Sequence, residues 1–378
     1  MDEDRFSEDA AASSAAASGP PPSASRKNKK IVGFSCILIA ATVWVVSSYW
    51  VTDLEGQGVT PLLLTSIANC MFAVVLPVHF IRHYITMRSH ASTGARKKSG
   101  RDRAGDDDGA DEDTLILGGS GAGAALHPEE VAALRRSMFV KALCLWPFWF
   151  LALYTYNLSF LTTTVMSNTI LSIGATGFFC CLLEVAVVKV TLSALKVSGV
   201  LLCILGTVLW TLGNHQTQND GEGRNTLGGV FLCIFSAAMY AFVSVALQKF
   251  MPKEGKAKDV DMMLFWGFMG LVNFSVMFPL NVLLLLSGLH DVSDVPARLY
   301  GVVMLKGLVD NLLTDFLWSI AVIYVGATTA NVSMSIQTPM VVAIDVVTKR
   351  AGYLNKRSRL LNITGALVIL AGFVMLNV

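Results

Sequence analysis

The chain has 378 residues, 53% of them hydrophobic and 15% charged, with a formal net charge of +2 and a mean hydropathy of +0.57. Soluble chains carry about a quarter charged residues, and about half of the charge here sits in the first 30 residues and in residues 82–141. This excludes a soluble two-domain enzyme, an intrinsically disordered chain and a nucleic-acid binder, and leaves a polytopic membrane protein.

Residues 1–30 begin acidic, turn to Ala, Ser and Pro, and end in Arg26, Lys27, Lys29 and Lys30. They read as a disordered cytosolic tail feeding an uncleaved signal anchor. A helix needs about 20 apolar residues to cross a bilayer. By that measure ten spans are predicted, near 31–52, 61–85, 142–161, 163–188, 195–213, 227–248, 261–287, 301–324, 327–348 and 360–377. Spans three and four, and spans eight and nine, are joined by tight turns, in each of which a Thr or Asn can cap the new helix.

The long loop, about 86–138, carries a basic block at 96–103, an acidic block at 106–113 and then glycines. Its composition cannot bury enough apolar surface to order itself. Its end, His127-Pro128-Glu129-Glu130 through Arg135-Arg136, reads as a short surface helix. All seven cysteines fall in apolar runs without CxxC spacing, which points to thiols used as small hydrophobes and to no metal and no cofactor.

Lysine and arginine are biased by side. With both termini cytosolic, the cytosolic segments hold 5, 10, 2 and 4 of them, and the opposite loops 0, 0, 1 and 1. The last loop breaks the rule, because Lys349, Arg350, Lys356, Arg357 and Arg359 all lie between spans nine and ten.

The two halves share patterns. Gly199-Val-Leu-Leu-Cys-Ile-Leu-Gly206 answers Gly365-Ala-Leu-Val-Ile-Leu-Ala-Gly372, and Asn168…Ser172-Ile173 answers Asn331…Ser335-Ile336, at offsets of 166 and 163 residues. The fold class expected is therefore an all-α membrane protein of ten transmembrane helices, arranged as two inverted five-helix repeats over 31–213 and 227–378. An odd number of spans per half inverts the second against the first, which is the plan of secondary transporters.

Further residues carry a resemblance: Trp149-Phe150…Tyr156, Thr164-Val165, Thr169-Ile170-Leu171-Ser172, Asn311…Asp315-Phe316-Leu317-Trp318 and Ser335-Ile336-Gln337-Thr338-Pro339…Asp345. In these the chain resembles the drug/metabolite transporter superfamily (EamA-like), and within it the F-type, F5-like members of solute carrier family 35. The likeness covers 31–378 apart from the long loop. Gln337 departs from it, standing where relatives are usually apolar. The resemblance implies a carrier, with nucleotide sugars, organic phosphates and vitamins such as thiamine among the solutes of relatives.

Ionisable side chains at bilayer depth cost at least about 2.5 kcal/mol each, which makes them functional candidates. Span eight holds Lys306, Asp310, Asn311 and Asp315. Lys306 and Asp310 are four apart and share a helical face, so they either pair structurally or contact solute. Asp315 has no opposite charge at that spacing and reads as a proton or cation-coupling site. Span nine offers Gln337, Asp345, Lys349 and Arg350. The adjacent bases suit a phosphate, or they snorkel to the membrane surface. Asn168 and Glu184 occupy the matching helix of the first half, with Glu184 and Asp345 as candidate gate carboxylates. Trp146, Tyr154 and Tyr156 are aromatic cavity candidates, or packing. Pro339 is expected to kink its helix beside the cavity.

No phosphate loop, HExxH or Ser/His/Asp set is present, so an enzyme is not expected. The reading is a secondary transporter of a small organic solute by alternating access, with spans three, four, eight and nine lining the cavity. A cation, zwitterion or vitamin-like metabolite is favoured. The alternatives are a nucleotide-sugar or organic-phosphate antiporter, and a non-transporting scaffold or receptor. Partners expected are the solute, the lipid bilayer and a proton or counter-substrate, with no nucleic acid. No retrieval signal follows the last span, leaving Golgi, other endomembrane, vacuolar and plasma-membrane locations open.

Overall fold

The computed structural model describes residues 24–82, 84–85, 128–189, 193–215, 226–251, 262–288, 295–348 and 356–377. Among them the chain is all helical. We label the rods α1 (Ala24–Gly56), α2 (Pro61–Arg82), α3 (Pro128–Phe160), α4 (Val165–Val188), α5 (Ala194–His215), α6 (Leu227–Phe250), α7 (Met262–Leu286), α8 (Ala297–Val325), α9 (327–347) and α10 (Lys356–Asn377). Seven of these, α1–α4 and α6–α8, contain stretches long and apolar enough to cross a membrane. α5 and α10 contain shorter apolar stretches, Val197–Leu209 and Ile363–Gly372.

The starts follow local chemistry. Thr60, Thr164 and Thr226 each turn a side-chain oxygen to an amide three residues on, at 3.4, 3.2 and 3.1 Å. Each thereby satisfies a donor that a helix start leaves open. Pro61 fills the first helical position of α2, where its missing N–H costs nothing.

Several rods change pitch along their length. α2 tightens to a 3-10 turn at Met71–Val74, and α9 does so at Met334–Ile336. α4 ends in a π turn over Glu184–Val188, and α8 contains a π stretch over Gly307–Thr314. The 3-10 turn in α9 lies just before Pro339, whose missing N–H cannot serve the carbonyl of Ser335; the disturbance precedes the proline and the helix then continues. Residues 128–136 are not a separate surface helix. They are the first turns of α3, because no breaker separates them from the apolar run that follows.

α5 and α10 form the most extensively packed pair; α3 packs on α6 and α7, α6 on α4, and α1 on α8. Small residues permit this, as expected where apolar helices meet in lipid. A methyl at Gly270 in α7 would collide with the Ala73 amide of α2. The main core is an aromatic layer of Trp149, Trp266 and Trp318, all at most 1% exposed. Tyr240 joins it, with ring centroids 5.1 Å from Trp149 and 4.9 Å from Trp318. The Trp266 indole donates to Ser319 Oγ at 3.1 Å and the Trp318 indole to Asn331 Oδ1 at 3.3 Å.

The tail before residue 24 and most of the long loop lie outside the described residues. So do Lys349, Arg350 and the side chain of Asp345.

Candidate functional site

A cavity enclosing about 850 Å³ of atom-free space, counted out to its mouth, lies among α1, α3, α4, α6, α8 and α9. Its walls come from Trp44, Ser47, Ser48 and Val51 of α1, and from Ala152, Leu153, Tyr156 and Asn157 of α3. α4 adds Thr169, Ser172, Ile173 and Thr176, and α6 adds Ser236, Ala237 and Tyr240. The charged side is α8, with Lys306, Asp310, Asn311 and Asp315; Asn331, Met334 and Gln337 of α9 complete it.

The π stretch explains how one helix aims four polar side chains at one space. In an α-helix, residues five apart point about 140° away from each other, so Asp310 and Asp315 would diverge. With the wider turn of a π-helix both line the cavity.

The charges are unequal in their partners. Lys306 Nζ lies 2.8 Å from Asp310 Oδ2 and donates to Asn311 Oδ1 at 3.0 Å. The Asn311 amide passes the chain on to Asn69 Oδ1 at 3.0 Å. Asp315 is 1% exposed, and its Oδ1 is buried without a hydrogen-bond partner in the protein. Asp310 Oδ1, Ser47 Oγ and the Tyr240 hydroxyl are likewise buried without one. Thr169 Oγ1 is a fifth; buried polar groups are normally paired, so these five atoms around one cavity are the ones a polar solute or solvent could bond. Ser48 Oγ and the Tyr156 hydroxyl lie 3.4 Å apart, either donating. Gln337 Nε2 turns to Met334 Sδ at 3.5 Å.

The structure thus gathers Lys306, Asp310, Asn311, Asp315, Gln337 and Tyr156 into one cavity. Four other candidates lie elsewhere. Asn168 is fully buried, donating to Ser159 Oγ at 2.6 Å and accepting from Ser172 Oγ at 3.0 Å and Cys233 Sγ at 3.2 Å. Its hydrogen-bonding capacity is spent on packing. Glu184 accepts two hydrogen bonds from Thr328, away from the cavity wall. Trp146 donates to Asn273 Oδ1 at 3.2 Å, and Tyr154 stacks on Phe150 at 6.1 Å. Neither is among the residues that line the cavity.

Sequence reasoning missed the contributions of α1 and α6. Adjacent Ser47 and Ser48 in an otherwise apolar span were the available signal. Among the described residues no group of three or more His, Cys, Asp or Glu is placed to hold a metal ion.

No family model matches the chain. An uncharacterized transporter of Schizosaccharomyces pombe is 26% identical over 360 residues, covering 92% of this chain and 96% of that protein. An uncharacterized vacuolar membrane protein of Saccharomyces cerevisiae is 27% identical over 239 residues, covering 61% of this chain and 58% of that one. Solute carrier family 35 member F5 of Bos taurus is 27% identical over 210 residues, 54% of this chain and 38% of the bovine protein. The chain is a relative of solute carrier family 35. Two of these three relatives are matched over less than two thirds of their own length. A solved crystal structure shares the fold over 93% of this chain and 98% of its own, with a TM-score of 0.50 at 15% identity. Relatives and apolar helices agree on a multi-pass membrane protein.

Proposed function

We propose that the chain is a secondary transporter of a small organic solute, and that the cavity between α8 and its neighbours is where the solute binds. The observation that carries this reading is the charge inventory of the cavity. Its one lysine is committed to Asp310, and Asp315 adds a second carboxylate that no cation among the described residues pairs with. An unpaired buried carboxylate is costly, and a solute that brings one positive charge removes the cost. Trp44, Tyr156 and Tyr240 on the walls suit the face of a cation. The favoured solute is a monocation or zwitterion, in keeping with a vitamin-like metabolite.

The architecture proposed with it is ten crossings in two inverted five-helix repeats, the N-terminus cytosolic, working by alternating access. The packing of α5 on α10 supports it. A methyl at Gly206 would fall 2.7 Å from the Gly365 carbonyl, and one at Gly372 would fall 2.7 Å from the Gly199 carbonyl. Exchanging each glycine for its counterpart in the other half turns the first contact into the second, as a two-fold axis requires. The cavity agrees, taking α1, α3 and α4 from one half and α6, α8 and α9 from the other.

The test is thermal stabilisation of the purified protein by a panel of organic monocations, zwitterions, nucleotide sugars and phosphorylated metabolites. A ligand at about a hundred times its Kd stabilises by about 2.7 kcal/mol. Stabilisation by monocations or zwitterions, weakened at least about 30-fold in affinity by Asp315→Asn, is the expected result. Stabilisation confined to phosphorylated anions and lost in Lys306→Ala would overturn the cation reading in favour of an organic-phosphate exchanger.

A further inference from the structure

α9 begins without a cap of its own. The residue before it, Gly326, sits at φ +93° and has no side chain to offer. The first amides of a helix must nonetheless find acceptors. Two other helices supply them. The Ala327 amide donates to Gln248 Oε1 at 2.7 Å, and the Thr328 amide donates to Glu184 Oε1 at 3.2 Å. The Thr328 hydroxyl donates to Glu184 Oε2 at 2.7 Å. Gln248 lies in the last turn of α6, and Glu184 opens the π turn that ends α4. All four residues are buried. A carboxylate at a helix N-terminus is favourably placed against the helix dipole.

The other short turn is built differently. There α4 is capped from within, the Ser167 amide donating to Thr164 Oγ1 at 3.2 Å. That cap moves with its own helix. The cap of α9 does not, because it is anchored in α4 and α6 and is lost if α9 swings away from them.

We infer that Glu184 and Gln248 are positioning residues that form a releasable latch. They hold the start of α9 against α4 and α6, and thereby close the solute cavity at that end of the bundle. Asn331, Met334 and Gln337 follow on the same helix and line the cavity, so freeing the start of α9 moves a cavity wall. In the closed form the bonds are dry and strong. On opening, water takes over the freed amides and the carboxylate, which keeps the cost of release low. The inference rests on the alternating-access reading, but its measurement needs no solute.

Cys180 reports on the seam. Its Sγ receives the Asn331 amide at 3.4 Å and lies 4.0 Å from the Ala241 carbonyl, between α4, α6 and α9, at 0% exposure. Cys203 is equally hidden at 4% exposure, but lies on the other side of α4, in the α5–α10 contact, with Sγ 3.7 Å from the Ile369 carbonyl.

The experiment follows N-ethylmaleimide modification of each cysteine by mass spectrometry, in the purified full chain and in Glu184→Ala, Gln248→Ala, Glu184→Gln and Thr328→Val. Glu184→Ala should raise the Cys180 rate about tenfold, the effect of one charge-assisted hydrogen bond on a two-state equilibrium. Gln248→Ala and Thr328→Val should raise it by smaller factors. Glu184→Gln keeps an acceptor and should stay near the parent rate, with Cys203 unchanged throughout. An unchanged Cys180 rate in the alanine variants and Thr328→Val overturns the latch. So does a parallel rise at Cys203, which would mean general loosening. If the alanine variants fail to fold, the nearly isosteric Thr328→Val decides alone. The cation reading stands or falls separately, on Asp315→Asn.

Discussion

Glycines in this bundle differ in what their missing side chain permits. Gly206 meets the Gly365 carbonyl and the Ile369 amide, both backbone atoms that cannot swing aside. Gly301 sits within α8 with nothing inside 4 Å of where a Cβ would be. Alanine at Gly206 should therefore push α5 from α10 and destabilise the fold by about 1–3 kcal/mol. Alanine at Gly301 should be neutral or stabilise by about 0.4–1 kcal/mol, through lost freedom in the unfolded chain. Melting temperatures of the two variants in one detergent would check the contrast, and a lower value for Gly301→Ala than for Gly206→Ala would refute it. Such differences were half legible in the sequence. The seven-residue glycine step marked spans five and ten as counterparts in the two halves, but not that they pack on one another. Asn168 and Glu184 show the limit. Their spacing and depth match those of a binding residue, and only their partners on other helices, Ser159, Cys233 and Thr328, reveal that their capacity is already used.

At the scale of the helix, the period of the polar residues on α8 carried a message that a 3.6-residue reading passed over. Lys306 and Asp310 fit an α-helical face, whereas Asp315 does not. An α-helix with all three on one wall is inconsistent, and the π stretch over Gly307–Thr314 is how the chain resolves it. Wide turns of this kind recur at functional sites because they re-aim a few side chains without breaking the rod. The same scale shows why α3 begins earlier than an apolar count indicates. A membrane span is recognised by its hydrophobic stretch, but a helix continues through its charged first turns wherever nothing stops it, here from Pro128.

For the whole molecule, the question that composition leaves open is how many rods cross the bilayer, and it reduces to parity. Among the described residues seven helices satisfy length and hydropathy, and α5, α9 and α10 are not among them. Yet α5 and α10 pack on one another by close glycine contacts, and α9 follows α8 through a turn centred on Gly326. If all ten cross, residue 256 lies on the same side as the N-terminus and residue 353 on the opposite side, with the C-terminus back on the first. If only the seven cross, residue 256 and the C-terminus move to the far side, because α5 no longer returns the chain. Single cysteines at 256 and 353 in an otherwise cysteine-free chain, probed with a membrane-impermeant maleimide in sealed vesicles, separate the two. The ten-crossing reading expects them on opposite faces. That outcome also places the basic cluster at 349–359 on the face that normally excludes lysine and arginine. Early helices set the orientation, so a late cluster can be carried across once ten crossings are committed. Residue 256 on the face opposite the N-terminus would remove the inverted repeat, and with it the two-fold reading of the Gly206 and Gly372 contacts.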